Sequence, residues 1–165
     1  MWKWCWKSCV PSVRWMNNAP VSFEEEIAAH GKLVYTNTGT SMEPFIRQGH
    51  DLFVVSQKPE GRLRKYDVPL YKNQKGQYVL HRILKVQEQD YVICGDNCMR
   101  REFGVTDSQI LGVLTAIIRD GKTEIPVTDP AYLRKVRLWC ALFPVRSALK
   151  RIRMLARYIR RKLRR

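Results

Sequence analysis

Ile110-Leu111-Gly112-Val113-Leu114-Thr115-Ala116-Ile117-Ile118-Arg119, followed by Asp120-Gly121-Lys122 and Thr123-Glu124-Ile125-Pro126-Val127, is the stretch on which the fold turns. Aliphatic and β-branched residues fill its first half, and Asp-Gly is a dipeptide suited to the tight turns of antiparallel hairpins. Two paired strands are expected here. Toward the N-terminus, short apolar runs recur between turn formers: 33–35, 51–55, 67–71, 77–86 and 90–94. Pro69 places the third run at a sheet edge or a bulge, because proline cannot donate to the ladder. Gln87-Glu88-Gln89 joins the last two as a second hairpin. Many short strands with little helix between them predict a mainly antiparallel β domain.

The helical signals lie at the ends. Ser22-Phe23-Glu24-Glu25 is a capping box, and Gly31 is a stop. After Thr128-Asp129-Pro130 the hydrophobic period changes from strand to helix. Val145, Leu149, Ile152, Ala156, Ile159 and Leu163 are spaced four, three, four, three, four, which draws one apolar stripe along a helix. Cations fill the rest of that helix. The chain therefore divides into a disordered tail at 1–20, a β domain at 21–128 and a basic amphipathic helical tail at 129–165.

The formal net charge is +15, and the excess is concentrated. Residues 131–165 carry thirteen Lys or Arg and no Asp or Glu, which leaves the remainder near neutral. A one-signed amphipathic helix suits an anionic membrane surface, with Arg146, Lys150, Arg153, Arg157 and Arg160 as the contacting cations. A basic arm on nucleic acid is the alternative, of the salt-sensitive and sequence-independent kind. The longest apolar stretch, 110–118, is far short of the ~18–20 residues of a membrane span. Lys3 and Lys7 interrupt the N-terminal Trp-rich segment, so it does not read as a secretory signal. These features predict a cytoplasmic protein, peripheral at the inner membrane surface. The five cysteines are odd in number and form no dense framework, as in a reducing compartment. The two C-x-x-x-C pairs, Cys5/Cys9 and Cys94/Cys98, are too loosely spaced to predict zinc. Neither metal nor cofactor is expected.

Three segments carry chemistry. Thr38-Gly39-Thr40-Ser41-Met42-Glu43-Pro44 offers a serine hydroxyl in a turn with backbone N–H groups beside it. Tyr78-Val79-Leu80-His81-Arg82-Ile83-Leu84 sets His81 on one strand face with Val79 and Ile83, while Arg82 points the other way. Burial there lowers the imidazole pKa and keeps it neutral, the form a base needs. Gly95-Asp96-Asn97 follows as a turn.

In that order and spacing, the three segments resemble the catalytic core of the signal peptidase superfamily, which includes the self-cleaving SOS repressors. The resemblance covers residues 32–122. It implies a coiled antiparallel sheet or partly open barrel, like that of signal peptidases and the C-terminal domain of LexA-type repressors. It also implies a serine endopeptidase acting on a peptide or preprotein. Ser41 matches the nucleophile. His81 stands where most bacterial members have lysine, as in the Ser–His enzymes of endoplasmic-reticulum and archaeal type. Glu102 or Asp96 would hold the imidazole tautomer, Glu102 being better placed by spacing and Asp107 an outsider.

Three departures accompany the likeness: the shifted Gly49-His50-Asp51, the lack of a membrane-spanning anchor, and Gly39 two residues before the nucleophile. Gly39 matches the repressor branch and leaves the oxyanion to backbone donors of Gly39, Thr40 and chiefly Ser41. Strand 52–55 is expected to align substrate by β-addition. Met42, Pro44 and Phe45 are candidates for a small-residue pocket, with core packing as the competing role for Met42 and Phe45. A non-catalytic peptide-binding or regulatory module of the same fold remains the alternative reading.

Overall fold

The structure is a computed structural model and describes residues 22–163. The expected tail at 1–20, with Cys5 and Cys9, lies outside the described residues. In chain order the elements are α1 (Phe23–His30), β1 (Lys32–Thr36), β2 (Leu52–Gln57), β3 (Pro69–Lys72), β4 (Tyr78–Leu80), β5 (Arg82–Val86), β6 (Tyr91–Cys94), β7 (Glu102–Val105), a 3-10 turn (Asp107–Gln109), β8 (Ile110–Arg119), β9 (Thr123–Pro126), α2 (Pro130–Ala141) and α3 (Phe143–Leu163).

β8 organises the main sheet. β2 pairs along one of its edges, while β3 and β9 share the other. The path runs β1-β2-β8-β3-β4, all antiparallel, and register shifts at Val54/Val55 and Leu70/Tyr71 help curl it into a half-barrel. The chain is thus mainly β, as expected. Asp120 and Gly121 both take positive φ (51° and 66°), as an Asp-Gly hairpin turn requires. At the N-terminus Ser22 Oγ accepts from Glu25 N–H (3.2 Å), the Glu25 carboxylate accepts from Ser22 N–H (3.0 Å), and Gly31 ends α1.

Four expectations are changed or narrowed. The run 77–86 is not one strand: it breaks at His81, with β4 in the main sheet and β5 in a second sheet of order β5-β6-β7. β3 is interior, between β8 and β4, and not an edge; of the two alternatives the irregularity is the one found, a register shift at Leu70/Tyr71 beside Pro69, which is the first residue of the strand. β2 has both edges paired, to β1 and β8, so it has no free edge to offer a substrate. The packed unit also extends past residue 128. Asp129 caps α2, and its Tyr132 and Val136 are buried in the same core as Phe45, Phe53 and Leu114.

Asp51 is fully buried and accepts from Arg47 N–H (2.8 Å), Arg119 Nη1 (2.6 Å) and Asp120 N–H (3.2 Å). It fastens the segment after Ser41 to the β8–β9 hairpin. A deeper ion pair ties the second sheet to α2 and to the segment before β3. Arg82 donates through Nε and Nη2 to the two carboxylate oxygens of Asp96 (2.8 and 2.7 Å), both side chains being almost wholly buried. Two further donors reach Tyr66 O (3.0 Å) and Tyr132 Oη (3.1 Å). Removing one member of such a pair leaves an uncompensated buried charge. Arg82→Met is predicted to cost about 3–5 kcal/mol of unfolding free energy in denaturant titration, and Arg82→Met/Asp96→Leu much less. Equal losses in the single and double variants would show that the pair does not hold the fold.

Candidate active site

Met42, Phe45 and Ile46 are buried in the main core and pin the turn after β1 from below. Phe45 N–H and Ile46 N–H both donate to Met42 O (3.0 Å each). Ser41 is left half-buried on the outer side of this turn. Upstream, Asn37 folds back on the chain, with its Oδ1 accepting from Gly39 N–H (3.3 Å) and its Nδ2 donating to Gly39 O (2.5 Å). Gly39 N–H is therefore occupied. Among the described residues neither Thr40 N–H nor Ser41 N–H has an acceptor. The backbone donors available for an oxyanion are these two.

His81 sits at the junction of β4 and β5, where the chain leaves one sheet for the other, and is buried. Its Nδ1 lies 2.9 Å from Glu102 Oε1, bent away from the in-line direction of a ring N–H hydrogen bond. The opposite ring atom, Nε2, faces Gly95. A Cβ on Gly95 would come within 2.9 Å of His81 Nε2, 2.7 Å of Ser41 O and 2.8 Å of Cys98 Sγ. Only glycine lets the backbone pass between the serine turn and the imidazole. Asn97 ties that loop to the turn, its N–H donating to Ser41 O (2.8 Å) and its Nδ2 to Thr40 O (3.1 Å).

Of the three acidic candidates, Glu102 alone lies against His81. Asp96 is committed to Arg82 on the far face of the strand, as alternation dictates for adjacent residues. Asp107 is engaged by Tyr91 Oη (2.8 Å) and Lys58 Nζ (3.2 Å). The sequence reading missed Tyr71. Its hydroxyl donates to Glu102 Oε2 (2.7 Å) and it is buried, so it fixes the carboxylate from behind. Burial first, then Glu102, hold the Tyr71 hydroxyl above its ordinary pKa, so it remains a donor. In sequence Tyr71 is one aromatic of the run 67–71, and its place opposite Val79 comes only from the β3–β4 pairing.

Ser41, His81 and Glu102 line one open cleft of about 270 Å³. Asn37, Thr38, Asn73, Tyr78, Val79 and Leu80 also line it. The proposed pocket residues do not line it: Met42 and Phe45 are spent in the core, and Pro44 is exposed elsewhere on the turn. Burial pushes the His81 imidazole below its ordinary value, while Glu102 and, less strongly, Asp96 push it back up without prevailing. The ring is neutral at neutral pH. Burial also raises the thiols, Cys94 to about 12, so neither Cys94 nor Cys98 supplies a thiolate there. No cluster of metal-binding side chains occurs among the described residues. Comparison with models of known protein families gave no match, and comparison with curated proteins gave none either.

The contact with Glu102 has a measurable consequence. In a proton NMR titration the His81 ring should titrate below about 6.5, the ordinary histidine value. Glu102 favours the protonated ring, so Glu102→Gln should lower that pKa further. An unchanged or raised pKa in the variant would remove Glu102 from the imidazole.

Proposed function

We propose that the chain is a serine endopeptidase of signal peptidase-like type, with Ser41 as nucleophile, His81 as general base and Glu102 as the residue that orients the base. The observation that carries this reading is the polarity of the imidazole. Nδ1 is turned to Glu102, and Nε2, the atom that would take a proton, is turned toward the loop that touches the Ser41 turn. The order of the three sequence motifs adds independent support.

A peptide substrate enters the cleft in extended form. β4 is the edge strand of the main sheet there, so its free backbone groups are the ladder on which the substrate pairs. This replaces the interior β2 in the role expected from sequence. Ser41 Oγ is not hydrogen-bonded to His81 in the free protein, and catalytic contacts of this kind tighten with substrate. His81 Nε2 takes the hydroxyl proton as Oγ attacks the scissile carbonyl. The Thr40 and Ser41 N–H groups receive the oxyanion. The imidazolium, stabilised by Glu102, protonates the leaving amine. Water, deprotonated by the same nitrogen, then releases the acyl group.

The test is covalent labelling by a fluorophosphonate probe. Ser41→Ala should abolish labelling and leave the melting temperature nearly unchanged, since the half-buried hydroxyl makes no hydrogen bond among the described residues that the fold would lose. His81→Gln should retain the fold and lose most of the rate. In the parent chain, protonation of Nε2 removes the base, so labelling should rise with pH through a midpoint below about 6.5. Labelling that persists in Ser41→Ala, or that climbs only in the alkaline range, contradicts the mechanism. A folded chain that never labels favours the peptide-binding module.

The working location we propose is an anionic membrane surface, contacted by α3. No helix among the described residues is long and apolar enough to cross a membrane. The stripe of α3 is not core: Val145, Leu149, Ile152 and Ile159 are all exposed, Ile152 by 63%. Pairing with a second copy along the stripe would bring two densely cationic helices together, which electrostatics opposes. A nucleic-acid arm needs no apolar stripe. Vesicles containing anionic lipid should cosediment the chain and release it in high salt, while zwitterionic vesicles should not bind it. Replacing Ile152 and Ile159 by Glu should abolish binding. Tighter binding to RNA than to vesicles would favour the nucleic-acid alternative.

A further inference from the structure

α3 docks on the domain through one of its cationic rows and leaves its apolar stripe free. At about 100° per residue, Arg146, Lys150, Arg153 and Arg157 form a row roughly a quarter turn from the stripe. The first two reach back to the Gly95-Asp96-Asn97 loop. Arg146 Nη1 donates to Asp96 O (3.1 Å), and Lys150 Nζ donates to Asn97 O (2.6 Å) and to Asn97 Oδ1 (3.1 Å). Trp139 of α2 completes the clasp, its Nε1 donating to Asp96 O (2.9 Å) while the Arg146 guanidinium lies 3.8 Å over its ring.

Lys150 thereby fixes the rotation of the Asn97 amide. With Oδ1 held by Lys150, Nδ2 is left to donate to Thr40 O. That acceptor matters. Thr40 C=O and Ser41 N–H belong to the same planar peptide unit. Glu43 N–H already donates to Thr40 O (3.2 Å), and the Asn97 amide, as the second donor, restrains the plane further and polarises the N–H on its other side, the chief candidate for the oxyanion. A continuous set of hydrogen bonds thus runs from Lys150 through Asn97 to the donor beside the nucleophile.

The helix that carries Lys150 is a poor one in isolation. It contains no acidic residue, and cations repeat at i and i+4, as in Arg146/Lys150, Arg153/Arg157 and Arg157/Arg161. Such pairs destabilise a helix, and an anionic surface neutralises them. We propose that α3 couples the membrane to the active site: an anionic surface orders α3, keeps Lys150 on Asn97, and so aligns the Thr40–Ser41 peptide for reaction. Asn97 and Lys150 are positioning residues in this arrangement. The proposal rests on both the peptidase reading and the membrane reading.

The experiment measures the rate at which a fluorophosphonate labels Ser41 in the full chain, with vesicle binding followed in parallel. Mixed phosphatidylglycerol/phosphatidylcholine vesicles should accelerate labelling at least fivefold. Phosphatidylcholine vesicles should not, and high salt should cancel the effect. Lys150→Met removes one cation of many, so it should still cosediment, but its labelling should no longer respond to the vesicles. Lys150→Arg keeps a donor and should recover part of the response. Asn97→Ala should lose the response as well. Binding without acceleration in the parent chain overturns the coupling and leaves the membrane reading standing. Full acceleration in Lys150→Met overturns the path through Asn97. Absence of binding overturns the proposal together with the membrane reading, and a folded chain that never labels overturns it together with the peptidase reading.

Discussion

Two adjacent residues, His81 and Arg82, leave the backbone on opposite sides, and what Arg82 grips decides what His81 faces. Arg82 closes a bidentate pair with Asp96 in the interior, where neither charge has water to fall back on. That pair fixes the loop 95–97 against the start of β5. Gly95 then lies beside the imidazole, and Asn97 beside the Ser41 turn. The geometry of the cleft follows from this constraint, because the serine turn is anchored in the main core by Met42, Phe45 and Ile46 and meets this loop through Asn97. Side chains of the serine turn and of the β4–β5 corner are held in register by one buried ion pair and the glycine next to it.

The electrostatics divide between the two faces. On the buried face a full charge is matched by a full charge. On the cleft face the imidazole is also buried, but its partner Glu102 is partly open to water and meets it at a bent angle. Desolvation therefore prevails, and the ring stays a neutral base. Tyr71 contributes by holding Glu102 in place, with a proton it has no tendency to lose.

Much of this arrangement was legible in local patterns. The capping box at Ser22, the Asp-Gly hairpin and the long β8 depend on residues close in sequence, and each formed where the pattern put it. The opposed directions of His81 and Arg82 followed from strand alternation. Other features depend on tertiary partners that no local pattern reveals. The break at His81 arises because the chain changes sheets, and the run 77–86 is continuous in hydrophobicity across that corner. Asp96 could not be assigned to Arg82 rather than His81 without knowing which face the loop returns to. Tyr71 reads as an ordinary strand aromatic until Glu102 is placed beside it. α2 was absorbed into the basic tail because its charge resembles that of α3, yet Tyr132 and Val136 bury it.

The claim that ties these parts together is that Gly95 must have no side chain for Ser41 and His81 to meet. The most direct measurement is the fluorophosphonate labelling rate of Gly95→Ala, taken alongside its melting temperature and its His81 titration. The added methyl cannot coexist with Ser41 O, Cys98 Sγ and His81 Nε2 in their present positions, so the loop must shift. The account predicts a folded protein with a displaced His81 resonance and labelling slowed by at least tenfold. Labelling at the parent rate, with an unmoved His81 titration, would contradict it.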